Sequence, residues 1–212
     1  PSFDIGQMHH PDTSYSRIDL PRMRQGQMDA SFFAVFLGQR ERTEQGHKQA
    51  HKRAIALFKD IEEAIGKYPG KAELATSPSE AYRLEKENKR AIYTGLENGY
   101  ALGGDLSNVE TFYKLGARYI TLCHTSNNDL CDSSTDPDGP EHNGLSSFGK
   151  KVVEKMNDLG MMVDVSHISD ASFYDVMEVS EDPVIASHSC ARTLCDHPRN
   201  LNDQMLQALK EN

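Results

Sequence analysis

The sequence predicts an α/β fold. The architecture expected is a parallel (β/α)8 barrel of the TIM type, incomplete within these 212 residues, with the first strand and the last strand or strands missing. Three observations predict it. Six short β-rich runs alternate with helical stretches in strict order, the mark of parallel strands joined by helical crossovers. Several of these runs deliver a carboxylate or an imidazole at their C-terminal ends, where barrel folds build their sites. No Gly-rich phosphate loop follows any run, which argues against the rival doubly wound sheet. Eight complete units take about 250 residues, so the chain falls short by one or two.

Composition sets the outer bounds. At 23.7 kDa the chain can bury one substantial core, and a single domain over 1–212 is expected, opening on an irregular loop over 1–28. Mean hydropathy of −0.62 and 26% charged residues suit a globular chain. A net charge of −9, from 32 acids against 23 bases, argues against nucleic acid and anionic membrane surfaces as partners. The longest apolar run, Ala30–Leu37, contains a Ser and is too short to span a bilayer. Cys123, Cys131, Cys190 and Cys195 lack zinc-finger spacing and read as free thiols. The chain opens on Pro, so an upstream piece is expected, and the compartment stays open between secreted, periplasmic and cytoplasmic.

Pro1, Pro11 and Pro21 mark the opening stretch as loop, with His9 and His10 exposed on it. Asp29–Leu37 reads as a strand covered on both faces. Thr43–Lys67 is a helix whose Ala50, Ala54, Leu57, Phe58, Ile61 and Ile65 keep one apolar stripe. Its His47 and His51 are four apart, but with no Glu between them they read as a solvated face. Strand Ala72–Thr76 leads into Ser77-Pro78-Ser79-Glu80, a capping box that opens a helix to about Asn88. Strand Arg90–Gly95 delivers Glu97. A helix over Asn108–Leu115 stops at Gly116, and strand Arg118–Cys123 delivers His124. The acidic loop from Thr125 to Asn143 lacks the register of a calcium-binding EF-hand and reads as a lid or rim of the site. Helix Ser146–Leu159 ends at Gly160. Strands Met161–Val165 and Val184–Ala186, separated by helix Asp170–Val179, then deliver His167 and His188, and Asn202–Lys210 begins a last helix.

Glu97, His124, His167 and His188 thus end four strands on one face. Imidazole nitrogens with a carboxylate are the ligands that zinc and similar divalent ions take. A carboxylate can also give one oxygen to each of two ions, holding them about 3.5–4 Å apart.

Five segments in this order resemble the renal (membrane) dipeptidase family: Gly-Leu-Glu-Asn-Gly at 95–99, Thr-Leu-Cys-His-Thr-Ser-Asn-Asn-Asp at 121–129, Asp-Val-Ser-His at 164–167, Ala-Ser-His-Ser at 186–189 and His-Pro-Arg-Asn at 197–200. The resemblance runs from about Asp29 to the C-terminus. It implies a binuclear zinc peptidase on an amidohydrolase-type barrel, cleaving dipeptides with metal-activated hydroxide. By that likeness Glu97 bridges two zinc ions, and His167 and His188 hold one of them. His124 contacts substrate and the tetrahedral intermediate, and Arg199 binds the substrate's terminal carboxylate, a task suited to a guanidinium fork. A homodimer is compatible with the family.

The departures from the family pattern have consequences. The His-x-Asp pair that holds the other zinc, and the acid/base aspartate of the last strand, fall outside the 212 residues by this likeness. Asn98, Tyr100 and Cys123 stand where relatives often carry Gly, His and Thr. Two alternatives stay open: another amidohydrolase acting on an amide or acyl amino acid, and a catalytically inert fragment or binding protein on the same scaffold.

Overall fold

The computed structural model describes residues 3–10, 12–14 and 16–212; Pro1 and Pro11, two of the prolines that mark the opening loop, lie outside the described residues. Five strands alternate with helices among the described residues. In chain order they are α1 (Leu20–Gln25), β1 (Ala30–Phe36), α2 (Glu44–Gly66), β2 (Ala72–Leu74), α3 (Pro78–Lys86) and β3 (Arg90–Glu97). A 3-10 turn (Gly99–Leu102) follows, then α4 (Ser107–Lys114), β4 (Ala117–Thr121), α5 (Ser147–Asp158), β5 (Met162–Asp164), α6 (Asp170–Val179) and α7 (Asp203–Glu211). The sheet runs β1-β3-β4-β5, with β2 also beside β3.

Local chemistry starts most of the helices. The Glu80 carboxylate accepts from the backbone of Thr76 at 2.7 Å and Ser77 at 2.9 Å, closing the expected capping box of α3. Side chains of Ser146, Ser169 and Asn202 cap α5, α6 and α7 by accepting from Gly149, Ser172 and Met205.

Several features differ from the sequence reading; among them, β1, expected to be covered on both faces, exposes Ala30, Phe32, Ala34 and Phe36. Within the stretch expected to be loop, residues 20–25 form α1. Buried Asp19 accepts from the Arg22 backbone at 2.8 Å, and Leu20 and Met23 bury their side chains. A helix this short shows no readable periodicity, and packing rather than propensity forms it. The sixth expected strand, Val184–Ala186, shrinks to one bridging residue. Ile185 pairs in parallel with Asp164, its carbonyl taking the Val165 N–H at 2.8 Å and its N–H reaching Val163 at 2.9 Å.

The chain divides into two compact units. One comprises the residues up to Phe33 together with Ala56–Thr94. There β2 runs parallel to the start of β3, pairing Ala72 with Arg90 and Leu74 with Ile92, over a core of Ile5, Leu20, Met23, Ile65, Ala72 and Ile92. The other comprises Ala34–Ile55 with Gly95–Asn212. In it β4 and β5 are parallel, Tyr119 opposite Met162 and Thr121 opposite Asp164. Leu96, Ile120, Leu122, Val152, Met156, Val163 and Phe173 are buried there. Gly95 lies against Tyr119: a Cβ on it would sit 2.2 Å from that ring. All the residues expected to form the site belong to this second unit.

Candidate metal centre

Each candidate side chain leaves the C-terminal end of a strand. Glu97 is the last residue of β3, His124 follows β4, His167 follows β5, and His188 follows the bridging residue Ile185. Two of these exits are strained. Asn98, next to Glu97, has φ +87°, and His167 itself has φ +76°. Non-glycine residues held there cost on the order of 1–3 kcal/mol and persist only where the surroundings fix them. Asn98 is fixed from three sides: it donates to the Leu37 carbonyl and accepts from the Tyr100 backbone and Asn128, all at 3.1 Å. His167 is buried, and its carbonyl takes the Ser134 N–H at 2.8 Å.

The side chains meet. The Nε2 atoms of His167 and His188 are 2.8 Å apart, and Glu97 Oε1 lies 3.6 and 3.5 Å from them. His124 Nε2 is 3.7 Å from the same oxygen, its ring centroid 4.1 Å from that of His167. Two neutral imidazoles repel when their Nε2 lone pairs face at such a distance, unless a proton or a cation lies between. Three atoms on a triangle of these edges all lie about 2 Å from one point, the length of a zinc bond to nitrogen or oxygen. The donor set therefore fits a divalent ion, with Glu97, His167 and His188 as the residues able to hold it.

Charge and burial act on this cluster in opposite senses. The neighbouring imidazoles of His167 and then His188 lower the Glu97 carboxyl to about 2 against the opposing effect of burial, so it is ionised at neutral pH. Burial pushes the imidazoles of His167 and His124 below the usual histidine range, which keeps them neutral and able to donate a lone pair. Burial likewise lowers Arg199, although Asp164, Cys123 and Glu97 pull it back up. Arg199 Nη2 donates to the His188 carbonyl at 3.2 Å, which places the guanidinium beside the cluster.

The acidic loop is a brace. Asp132, wholly buried, accepts from the backbone of Glu141, His142 and Gly144 at 2.8–2.9 Å, folding the loop on itself. Asp136 accepts from the backbones of Asn127 and Asp138, and Asp129 accepts from Arg42 at 3.2 Å. The loop then grips the histidines: Ser133 Oγ donates to the His124 carbonyl at 2.6 Å, and Ser134 holds that of His167. His47 and His51 depart from the solvated face expected of them. Their rings pack on Tyr100 and Phe112, with centroids 5.0 and 5.2 Å apart, and neither enters the metal cluster. His9 stacks on Phe3 while His10 is exposed. All four cysteines are free, Cys123 and Cys131 buried and the other two exposed. Sequence reading missed Asp164 as an individual residue. The available signal was an acid inside the apolar run Met161–Val165.

A parallel α/β chain whose strand ends gather one carboxylate and several imidazoles is of the barrel class that builds metal centres at its C-terminal face. The chain belongs to the membrane dipeptidase family (peptidase family M19), whose model matches residues 3–212. It is 39% identical to Dipeptidase 3 of Macaca fascicularis, over 94% of this chain and 40% of that protein. It is 35% identical to Dipeptidase tcpJ of Claviceps purpurea, over 92% of this chain and 47% of the relative. The crystal structure of the probable dipeptidase PvdM from Pseudomonas aeruginosa superposes with a TM-score of 0.88 at 31% identity, over 94% of this chain and 52% of that one. The chain spans about half the length of the curated relatives it matches. The α/β fold expected from the strand–helix order is thereby established, as is family membership. No helix among the described residues is long and apolar enough to cross a membrane.

Proposed function

We propose that the protein is a zinc-dependent dipeptidase in which Glu97, His167 and His188 would hold the metal, Glu97 being the carboxylate able to serve two zinc ions. One barrel domain carries the site in this reading. The observation behind it is the convergence of the three side chains, with ligand atoms within 4.8 Å of one another. Family membership and the dipeptidase names of the relatives support the substrate class.

A bound zinc pair supplies the Lewis acidity that makes water nucleophilic at neutral pH and that favours negative charge on the carbonyl oxygen. The chain's own residues do the rest. Glu97, ionised and facing His124, His167 and His188, does not give up a proton to the leaving amine. His124, partly buried between Phe36 and His167, faces the reacting carbonyl and hydrogen-bonds its oxygen. Arg199, tethered to the His188 carbonyl, grips the free carboxylate of the dipeptide. The shared requirement for that carboxylate sets the substrate's register at the metals.

The test is Glu97→Ala in the full-length protein, read by metal content and by dipeptide turnover. Both should fall together. Retention of zinc with wild-type turnover sinks the reading.

A further inference from the structure

Behind His188 lies a chain of polar contacts that the peptidase reading does not use. Asp164, in β5, is wholly buried. Its Oδ1 accepts from the backbones of Ser187 at 2.9 Å and Ser166 at 3.1 Å. Its Oδ2 takes the hydroxyls of Thr121 and Ser187, both at 2.6 Å. Distances of about 2.5–2.7 Å are those of a hydroxyl donating to an ionised carboxylate. Ser187 Oγ is in turn 2.7 Å from His188 Nδ1.

A serine hydroxyl carries a single hydrogen. Once that hydrogen is committed to Asp164, Ser187 Oγ can only accept from His188. Nδ1 must then carry the imidazole proton, which leaves the lone pair on Nε2, the atom that faces His167 and Glu97. The His188 N–H also donates to Ser166 Oγ at 3.0 Å, fixing the backbone beside the ring. His167 is held differently: its Nδ1 is buried with no hydrogen-bond partner among the described residues, and its place is set by the backbone at φ +76°. One ligand is aimed by its main chain, the other by its side-chain partners.

We propose that Asp164 is a positioning residue which, through Ser187, fixes the Nδ1–H tautomer of His188 and aims its Nε2 at the metal. This is the carboxylate–histidine pairing common behind metal ligands, extended by one hydroxyl. The proposal rests on the metal-site reading above.

Zinc affinity, measured in the full-length protein by competition with a chromogenic chelator, separates the two readings. His188→Ala tests the site: an unchanged zinc affinity in that variant overturns the metal-site reading and the relay with it. With the site upheld, Ser187→Ala should weaken zinc about 10–100-fold, the usual effect of losing such an outer partner. Ser187→Thr, which keeps a hydroxyl, should recover most of that loss. Thr121→Val removes another donor to Asp164 but lies off the path to His188, and should bind zinc close to the parent's affinity. Nitrogen-15 spectra of the histidine-labelled, metal-free protein give a readout independent of metal. They should report His188 protonated on Nδ1, with that preference lost in Ser187→Ala. An Nε2–H tautomer in the parent, Ser187→Ala binding zinc as the parent does, or Thr121→Val losing as much as Ser187→Ala, each overturns the relay.

Discussion

Ser134 gives its backbone N–H to the carbonyl oxygen of His167 at 2.8 Å, so the loop between β4 and α5 props a histidine whose backbone is strained. The serine's own hydroxyl is buried with no hydrogen-bond partner among the described residues. Burying an unsatisfied hydroxyl costs about 1–3 kcal/mol. Ser134→Ala should therefore leave stability unchanged or raise it by up to about 1 kcal/mol in a urea titration, because the supporting N–H remains. Ser134→Pro removes that N–H and should lower the unfolding midpoint. A large loss in the alanine variant would contradict the assignment of the prop to the backbone.

Asp132 makes the loop's fold sensitive to acid. Burial pushes its carboxyl up, but the N–H groups of His142, Gly144 and Glu141 outweigh burial and hold it below the usual range. A carboxyl lowered by folding stabilises the native state above the unfolded value and loses that contribution as the pH falls through the folded one. The parent should thus lose stability progressively below about pH 4. Asp132→Asn should be less stable at neutral pH by about 2 kcal/mol, since one carboxylate oxygen becomes a donor facing donors. Its stability should also fall less steeply with acid. Parallel slopes for the two proteins between pH 5 and 2.5 would remove Asp132 from the account.

Gly95 controls how closely β3 and β4 approach beneath Glu97. A methyl at this position would sit 2.2 Å from the Tyr119 ring, so Gly95→Ala should destabilise by about 1–3 kcal/mol through overpacking. Because Glu97 is two residues further along the strand, zinc affinity should fall as well. Gly95→Ala paired with Tyr119→Leu, which opens space for the methyl, should regain part of both losses in thermal melts and chelator competition.

The proposed grip of Arg199 on the substrate's free carboxylate can be tested by comparing substrates. Loss of a charge-assisted contact to a terminal carboxylate costs about 1.5–3 kcal/mol, so Arg199→Ala should lower kcat/KM for dipeptides about 10–100-fold. A dipeptide amide, lacking that carboxylate, should be a poor substrate for the parent and be cleaved at the same rate by the variant. Equal losses on both substrates would assign Arg199 to holding the His188 carbonyl alone.

Much of the architecture was legible from local pattern. The stripe of Ala50, Ala54 and Phe58, the Ser77–Glu80 capping box and the Gly160 stop are short-range features, and α2, α3 and α5 formed where they indicated. The candidate site residues were legible because apolar runs ended in Glu97, His124, His167 and His188, and strands of one parallel sheet present their C-termini on one side. The hidden features had another character. Helix α1 depends on burying Leu20 and Met23, and the sixth strand is reduced to Ile185 alone. His47 and His51 pack where a helical wheel leaves them in water, because Tyr100 and Phe112 arrive from elsewhere in the chain.

Periodicity, caps and short motifs thus suffice for the main alternation of strands and helices, the family resemblance and the residues at the strand ends. The spacing of the candidate ligand atoms, the acids that scaffold the loop and the reach of Asp164 to His188 through Ser187 emerge only once distant segments pack together. The reason is physical. Periodicity reports which face of an element is buried, whereas a hydrogen-bond partner such as Thr121 for Asp164 is set by strand register between segments distant in sequence.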